Sequence, residues 1–156
     1  MQTSHMNIQE IPFGSDDYNK ECTLRNEVLR LPLGLNLFDE DLSSENQQMH
    51  FGMFDPNGNL IACVIGVARS PIEAKIRQMA VDPEHQGKGY GSRIICFLEE
   101  FLAPKGFTHF SMHARLSAVG FYEKLGYVKV GPIFTEVRLP HVQMEKSLAP
   151  VMPVER

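Results

Sequence analysis

The chain has 156 residues, 43% hydrophobic and 22% charged, with a formal charge of -4 and a pI of about 5.8. This length predicts one domain over 1–148, and Pro150, Pro153 and the closing Glu155-Arg156 predict a loose tail over 149–156. The composition excludes a disordered chain, a fibrous repeat and a disulfide miniprotein, and the mild acidity offers no electrostatic footprint for nucleic acid. Three widely spaced cysteines, Cys22, Cys63 and Cys96, read as buried thiols of a reducing cytoplasm. The opening Met1 to Met6 shows no basic or apolar leader, and the longest apolar run, Leu60 to Ala68, is far short of the ~20 residues a membrane helix needs. A cytoplasmic protein without membrane partners is expected.

In chain order, alternating Met6, Ile8 and Ile11 predict a strand to Phe13. Ser15-Asp16-Asp17 supplies an N-cap and acids for a helix to about Arg30, with Cys22, Leu24, Val28 and Leu29 as its buried candidates. Leu31 to Glu45 is too apolar for a solvated loop and too broken for a helix, and Asp39-Glu40-Asp41 within it reads as a solvated acidic turn. Gln48 to Asp55 and Leu60 to Ala68 flank Pro56-Asn57-Gly58-Asn59, a hairpin signal. A strand is expected over Glu73 to Val81. Ile94, Phe97, Leu98 and Phe101 place one apolar stripe on a helix from Gly89 to Ala103. Phe107 to His113 reads as a strand, and Ser117 to Leu125 as a short helix closed by Gly126. Tyr127 to Val130 and His141 to Lys146 read as final strands. The order β-α-β-β-β-α-β-α-β-β is a mixed α/β fold around one sheet.

The segment with chemical content is Val81-Asp82-Pro83-Glu84-His85-Gln86-Gly87-Lys88-Gly89-Tyr90-Gly91-Ser92-Arg93. A strand ends, a loop follows, and three alternate glycines open a helix. Glycine lets backbone approach a ligand closely, and the N–H groups of a helix's first turn favour an anion. Lys88 and Arg93 add positive charge, so the segment suits a pyrophosphate. It is not the dinucleotide fingerprint, because Ser92 stands where the third glycine would fall, and it does not fit the P-loop spacing.

Gln86-Gly87-Lys88-Gly89-Tyr90-Gly91, preceded by Val81-Asp82-Pro83, resembles motif A of the GNAT N-acetyltransferase superfamily. Phe121-Tyr122-Glu123-Lys124-Leu125-Gly126-Tyr127 is similar to the family's motif B, and Leu139 to Lys146 to its closing strand. The resemblance covers about Gln48 to Leu148. It implies the GNAT acyl-CoA N-acyltransferase fold, with acetyl-CoA as co-substrate, no metal, and transfer to the amine of a small molecule. It also implies that Gln86, Gly87, Lys88, Gly89, Tyr90, Gly91 and Ser92 surround the pyrophosphate. The Met79 and Val81 backbone would pair with the pantetheine arm, and an N–H near Ala80 would polarise the thioester. Tyr122 matches the family's general acid. A homodimer is compatible with the family.

The expected general base is absent. On the strand into Val81, where members carry glutamate or histidine, this chain has Lys75 and Arg77, and Arg115 stands where many have asparagine. Glu136 and His141 are the alternatives, with His113 beside them, and a water chain remains open. Strand alternation places Lys75, Arg77, Met79 and Val81 on one face, so Lys75 and Arg77 are candidates for binding an anionic group of the acceptor. Asp39, Glu40 and Asp41 are the opposing candidates for a cationic one. A catalytically inactive acyl-CoA sensor on the same fold is the alternative reading.

Overall fold

A computed structural model describes residues 5–149; the expected tail beyond 149 lies outside them. A mixed seven-stranded sheet has the order β1-β2-β3-β4-β5-β7-β6, with three α-helices. The strands are β1 (Asn7–Ile11), β2 (Met49–Phe54), β3 (Leu60–Ala68), β4 (Glu73–Val81), β5 (His109–Arg115), β6 (Val128–Glu136) and β7 (Leu139–Ser147). The helices are α1 (Asp16–Leu29), α2 (Tyr90–Leu102) and α3 (Val119–Lys124). This is the expected element order. Contacts divide the chain into two compact units, Met1–Val67 with Arg77–Leu98, and Ala68–Ile76 with Glu99–Arg156.

In the first unit, β1 pairs with β2 and β2 with β3, both antiparallel, and the Pro56–Asn59 turn holds Gly58 at φ +84°. Ser15 caps α1 by accepting from the Tyr18 N–H, as its position predicts. Cys22 and Leu24 are buried, whereas Val28 and Leu29 are partly exposed. The stretch without a sequence assignment forms three 3₁₀ turns, Leu31–Leu33, Leu37–Asp39 and Ser43–Gln47. They reconcile its apolar and breaking residues: Leu37 is fully buried while Pro32 and Gly34 turn the chain. Asp39, Glu40 and Asp41 are exposed, with Glu40 bonded to Arg30 at 2.7 Å. Ile94, Ile95 and Leu98 of α2 are fully buried, and the Phe97 ring meets Phe51 edge-on. Cys63 and Cys22 are buried as expected, but Cys96 is exposed on the outer side of α2.

In the second unit, the start of β4 pairs in parallel with β5 from Glu73↔His109 to Ile76↔Met112. β5 pairs with β7, and β7 with β6, both antiparallel. β5 starts and ends two residues later than the sequence pattern predicts. The last hairpin is much longer than expected. The sequence pattern predicts this strand only to Val130, yet β6 continues past Gly131 and Pro132 through a register shift between Val130 and Phe134, with Gly131 at φ +86°. A bulge absorbs residues that a regular ladder would reject. The hairpin turn is Val137-Arg138, both at positive φ (42° and 68°), without the Asn-Gly that announces such turns. α3 is preceded by a 3₁₀ turn, Leu116–Ala118. Its C-terminal side is fixed by Glu99, which accepts from Tyr127 Oη (2.7 Å) and Lys146 Nζ (3.0 Å), while Lys146 also donates to the Leu125 carbonyl at 2.7 Å.

Candidate functional site

The glycine segment is an exposed turn at the start of α2. The Asp82 N–H donates to the Ile61 carbonyl at 2.8 Å, keeping the end of β4 tied to β3. The chain then turns through Pro83–His85, where Asp82 accepts from the His85 backbone N–H and holds the ring at 2.7 Å. Gln86 reaches back to donate to the Val81 carbonyl at 3.0 Å. Gly87 and Gly89 sit at φ +79° and +83°, a conformation in which L side chains are strained. A Cβ built on either would meet nothing within 4 Å, so the backbone faces open space. Tyr90 begins α2, and the Arg93 guanidinium lies 5.8 Å from its ring centroid. Gln86, Gly87, Lys88 and Gly89 are exposed, Tyr90 and Ser92 partly so, and Gly91 is buried inside the first turn. The outward groups therefore come from Gly87 to Tyr90. An open backbone cradle at a helix start fits a pyrophosphate.

Strand geometry refines the expectation for Met79, Ala80 and Val81. Backbone groups alternate edges along a strand. Asp82 points its N–H at β3, so Ala80 does too, and the Ala80 N–H is bonded toward Cys63. Ala80 is therefore not the outward donor. The groups on the opposite edge of β4 belong to Met79 and Val81.

Gln78, one residue earlier, stands at φ +50° in the middle of a strand. A left-handed non-glycine residue costs about 1–3 kcal/mol. Arg25 Nε donates to the Gln78 side-chain oxygen at 2.7 Å, and a hydrogen bond from a charged donor contributes about 1.5–3 kcal/mol, enough to offset that strain. Arg25 is fully buried on α1. It forks onto Glu45 at 2.9 and 2.6 Å and bonds Glu21 at 2.8 Å. Tyr18 donates to Glu45 at 2.6 Å. His50 Nδ1 lies 2.8 Å from the Glu21 carboxylate and Nε2 2.9 Å from the Glu45 carbonyl. Both partners are acceptors, so both ring nitrogens donate and the imidazole is cationic. Two cations and two carboxylates cancel. Glu21, Glu45 and His50 have metal-ligating chemistry and lie together, but Arg25 and the His50 protons already occupy their oxygens. Burial alone would lower the His50 pKa, and the bond to Glu21 outweighs it and raises it. Burial alone would raise the Glu45 pKa, and the bonds from Arg25 and Tyr18 outweigh it and lower it. The sequence reading missed this cluster. Its signal is the i, i+3, i+4, i+7 stripe Tyr18, Glu21, Cys22, Arg25, which was not read as a face because it is half ionic.

Arg77 donates to Gln48 at 3.1 Å and is half-buried, as is Lys75. Both stand on odd positions of β4 with Glu73, as alternation requires.

In the second unit, Tyr122 is buried, 7% exposed, with its ring edge-on to Phe121 and Tyr127. Burial pushes its pKa up to about 12, against a smaller lowering by Arg115, so the phenol keeps its proton throughout the physiological range. His113 is the first residue of β5 beyond the last β4–β5 rung. Its Nδ1 lies 2.9 Å from Glu136 Oε1. A carboxylate partner makes Nδ1 the N–H and leaves Nε2 as an acceptor. Phe134 stands edge-on to His113 at 4.9 Å and stacks on His141 at 6.0 Å. His141 is buried, and its Nδ1 donates to the Leu139 carbonyl at 2.8 Å. The structure thus brings His113, Glu136 and His141 together around one phenylalanine. Sequence alone named all three without their pairing, because a bulge and an unmarked turn set the hairpin register that puts Glu136 against His113.

The family model described as an acetyltransferase (GNAT) domain matches residues 35–148. An uncharacterized protein of Bacillus subtilis, YyaT, is 31% identical over 115 residues, covering 72% of this chain and 74% of that protein. A solved structure from Lactobacillus plantarum superposes with a TM-score of 0.80 at 22% identity, over 92% of this chain and 99% of the other. An aminoglycoside 6'-N-acetyltransferase complexed with coenzyme A superposes at 0.71 and 18% identity, over 94% and 99%. The open glycine cradle and the expected element order agree with these likenesses. The chain belongs to the GNAT family of acetyltransferases. Among the described residues no helix is long and apolar enough to cross a membrane.

Proposed function

We propose that the protein is an acetyl-CoA-dependent N-acetyltransferase acting on the amine of a small molecule. The observation that carries this reading is the open cradle of Gly87 and Gly89 leading into α2. Its N–H groups bind the pyrophosphate, with Lys88 and Arg93 adding charge. The outward edge of β4 at Met79 and Val81 supplies main-chain partners for the pantetheine arm, and one of these N–H groups polarises the thioester carbonyl.

The likeness to motif B and the His113–Glu136 pair assign the proton-transfer roles. His113 Nε2 accepts the amine proton as the nitrogen attacks the thioester carbon, and Glu136 fixes the tautomer and stabilises the imidazolium. His141, whose Nδ1 is committed to its own strand, acts through Phe134 as a support. As the C–S bond breaks, its electron pair passes to sulfur, and Tyr122 donates a hydrogen bond and then its proton to the thiolate. Arg77 and Lys75 are assigned to an anionic group of the acceptor. The intact His113–Glu136 pair favours an enzyme over a silent acyl-CoA sensor.

The test is thiol release from acetyl-CoA across a panel of primary amines. The expected result is amine-dependent release, better for amines that bear a carboxylate or phosphate. Tight acetyl-CoA binding with no release by any amine would leave the sensor reading in its place.

A further inference from the structure

We propose that Arg25, backed by Glu45, Glu21 and His50, is a positioning residue that holds Gln78 in its left-handed conformation and so aims the outward backbone groups of Met79 and Val81; this rests on the acetyltransferase reading of that strand edge. Four observations converge. Gln78 is the one non-glycine residue at positive φ within a described strand. Its side chain is bound by the Nε of a guanidinium that is fully buried. Every other Arg25 nitrogen is committed to Glu21 or Glu45, so the guanidinium is fixed in rotation as well as position. The residues that follow Gln78 directly are Met79, Ala80 and Val81, the last tied to the cradle through Gln86.

A buried four-charge cluster is a poor way to maximise stability, since well-packed apolar residues commonly do as well or better. It is a good way to fix one geometry, because each oxygen and nitrogen accepts few alternatives. If Gln78 relaxed to an extended φ, the Gln78–Met79 peptide would rotate and the backbone groups after it would be re-aimed.

The test compares Gln78→Ala, Gln78→Gly and Arg25→Lys with the parent. Alanine at 78 has neither the anchor nor freedom at positive φ, whereas glycine adopts that conformation without an anchor. The expected result is that Gln78→Ala lowers kcat about tenfold and also weakens acetyl-CoA, and that Gln78→Gly recovers most of both losses. In the ligand-free proteins, the Met79, Ala80 and Val81 amide resonances of Gln78→Ala and Arg25→Lys should move together, and those of Gln78→Gly should stay near the parent. Glycine and alanine variants that lose activity alike, or amide resonances that stay in place in Gln78→Ala, overturn the proposal. Should Arg25→Lys not fold, the two Gln78 variants decide alone. A parent without turnover on any amine overturns the acetyltransferase reading instead, and the amide comparison still decides this one.

Discussion

Tyr122 shows how burial sets a role. A phenol with a pKa of about 12 is no base at neutral pH, and its chemistry is donation. In the proposed reaction a leaving thiolate, with a thiol pKa of about 8.5, is a weak acceptor for so weak an acid, so the assigned donor must act at short range and with help from Arg115, whose charge lowers the Tyr122 pKa. Tyr122→Phe removes the hydroxyl and keeps the edge-on ring contacts. Turnover is expected to fall roughly 10²-fold, the usual scale for a lost general acid, with acetyl-CoA affinity nearly unchanged. Equal turnover of the two proteins, in steady-state assays at saturating amine, would return Tyr122 to the core. Tyr122 could be nominated from the sequence because it lies in a motif. The His113–Glu136 pair could not be, since the two residues are 23 positions apart and their meeting depends on a hairpin register with no sequence marker.

At the scale of elements, the cradle and α2 form one device: a strand end, a turn locked by Asp82 and Gln86, two left-handed glycines and a helix start. Gly89 is exposed, and its Cβ position is open. Asn and Asp both tolerate positive φ better than other residues, so Gly89→Asn and Gly89→Asp separate shape from charge. The aspartate places a carboxylate beside the proposed pyrophosphate site. Like charges a few ångströms apart at a protein surface repel by about 1–3 kcal/mol after screening, and every 1.4 kcal/mol is about tenfold in affinity. Gly89→Asp should therefore weaken acetyl-CoA at least about fivefold relative to Gly89→Asn in calorimetry. Equal affinities for the two variants would remove the anion from this turn. The glycines, the caps and the Asn-Gly turn made most elements readable, because each is a local conformational demand written in one or two residues. The 3₁₀ turns of 31–47 and the bulged β6 were unreadable because tertiary burial of Leu37 and a register shift past Pro132 decide them.

At the scale of the whole molecule, stability should carry the pH signature of the buried cluster. His50 bonds Glu21 of α1 and the Glu45 carbonyl of the 3₁₀ turn before β2, meets the Tyr18 ring edge-on, and feels the charges of Glu21 and Glu45. Its pKa is raised in the fold. Its contribution is therefore fully present below the unfolded value of about 6.5 and is lost as pH rises through the higher folded value. Glu45 runs the other way. Its pKa is lowered, so its contribution is present above the unfolded value of about 4.3 and is lost as pH falls through the lower folded value. The two windows overlap between about pH 4.5 and 6.5, where the cluster is fully ionised and neutral in sum. Above that range stability falls, and as pH rises through the higher folded value His50 loses its proton and the cluster becomes net negative inside the first unit. Thermal unfolding from pH 5 to pH 9 checks this against His50→Gln, which has no proton to lose. The parent Tm should decline on the alkaline side more steeply than that of the variant. Parallel curves would mean that His50 is neutral in the fold, which its two acceptor partners argue against.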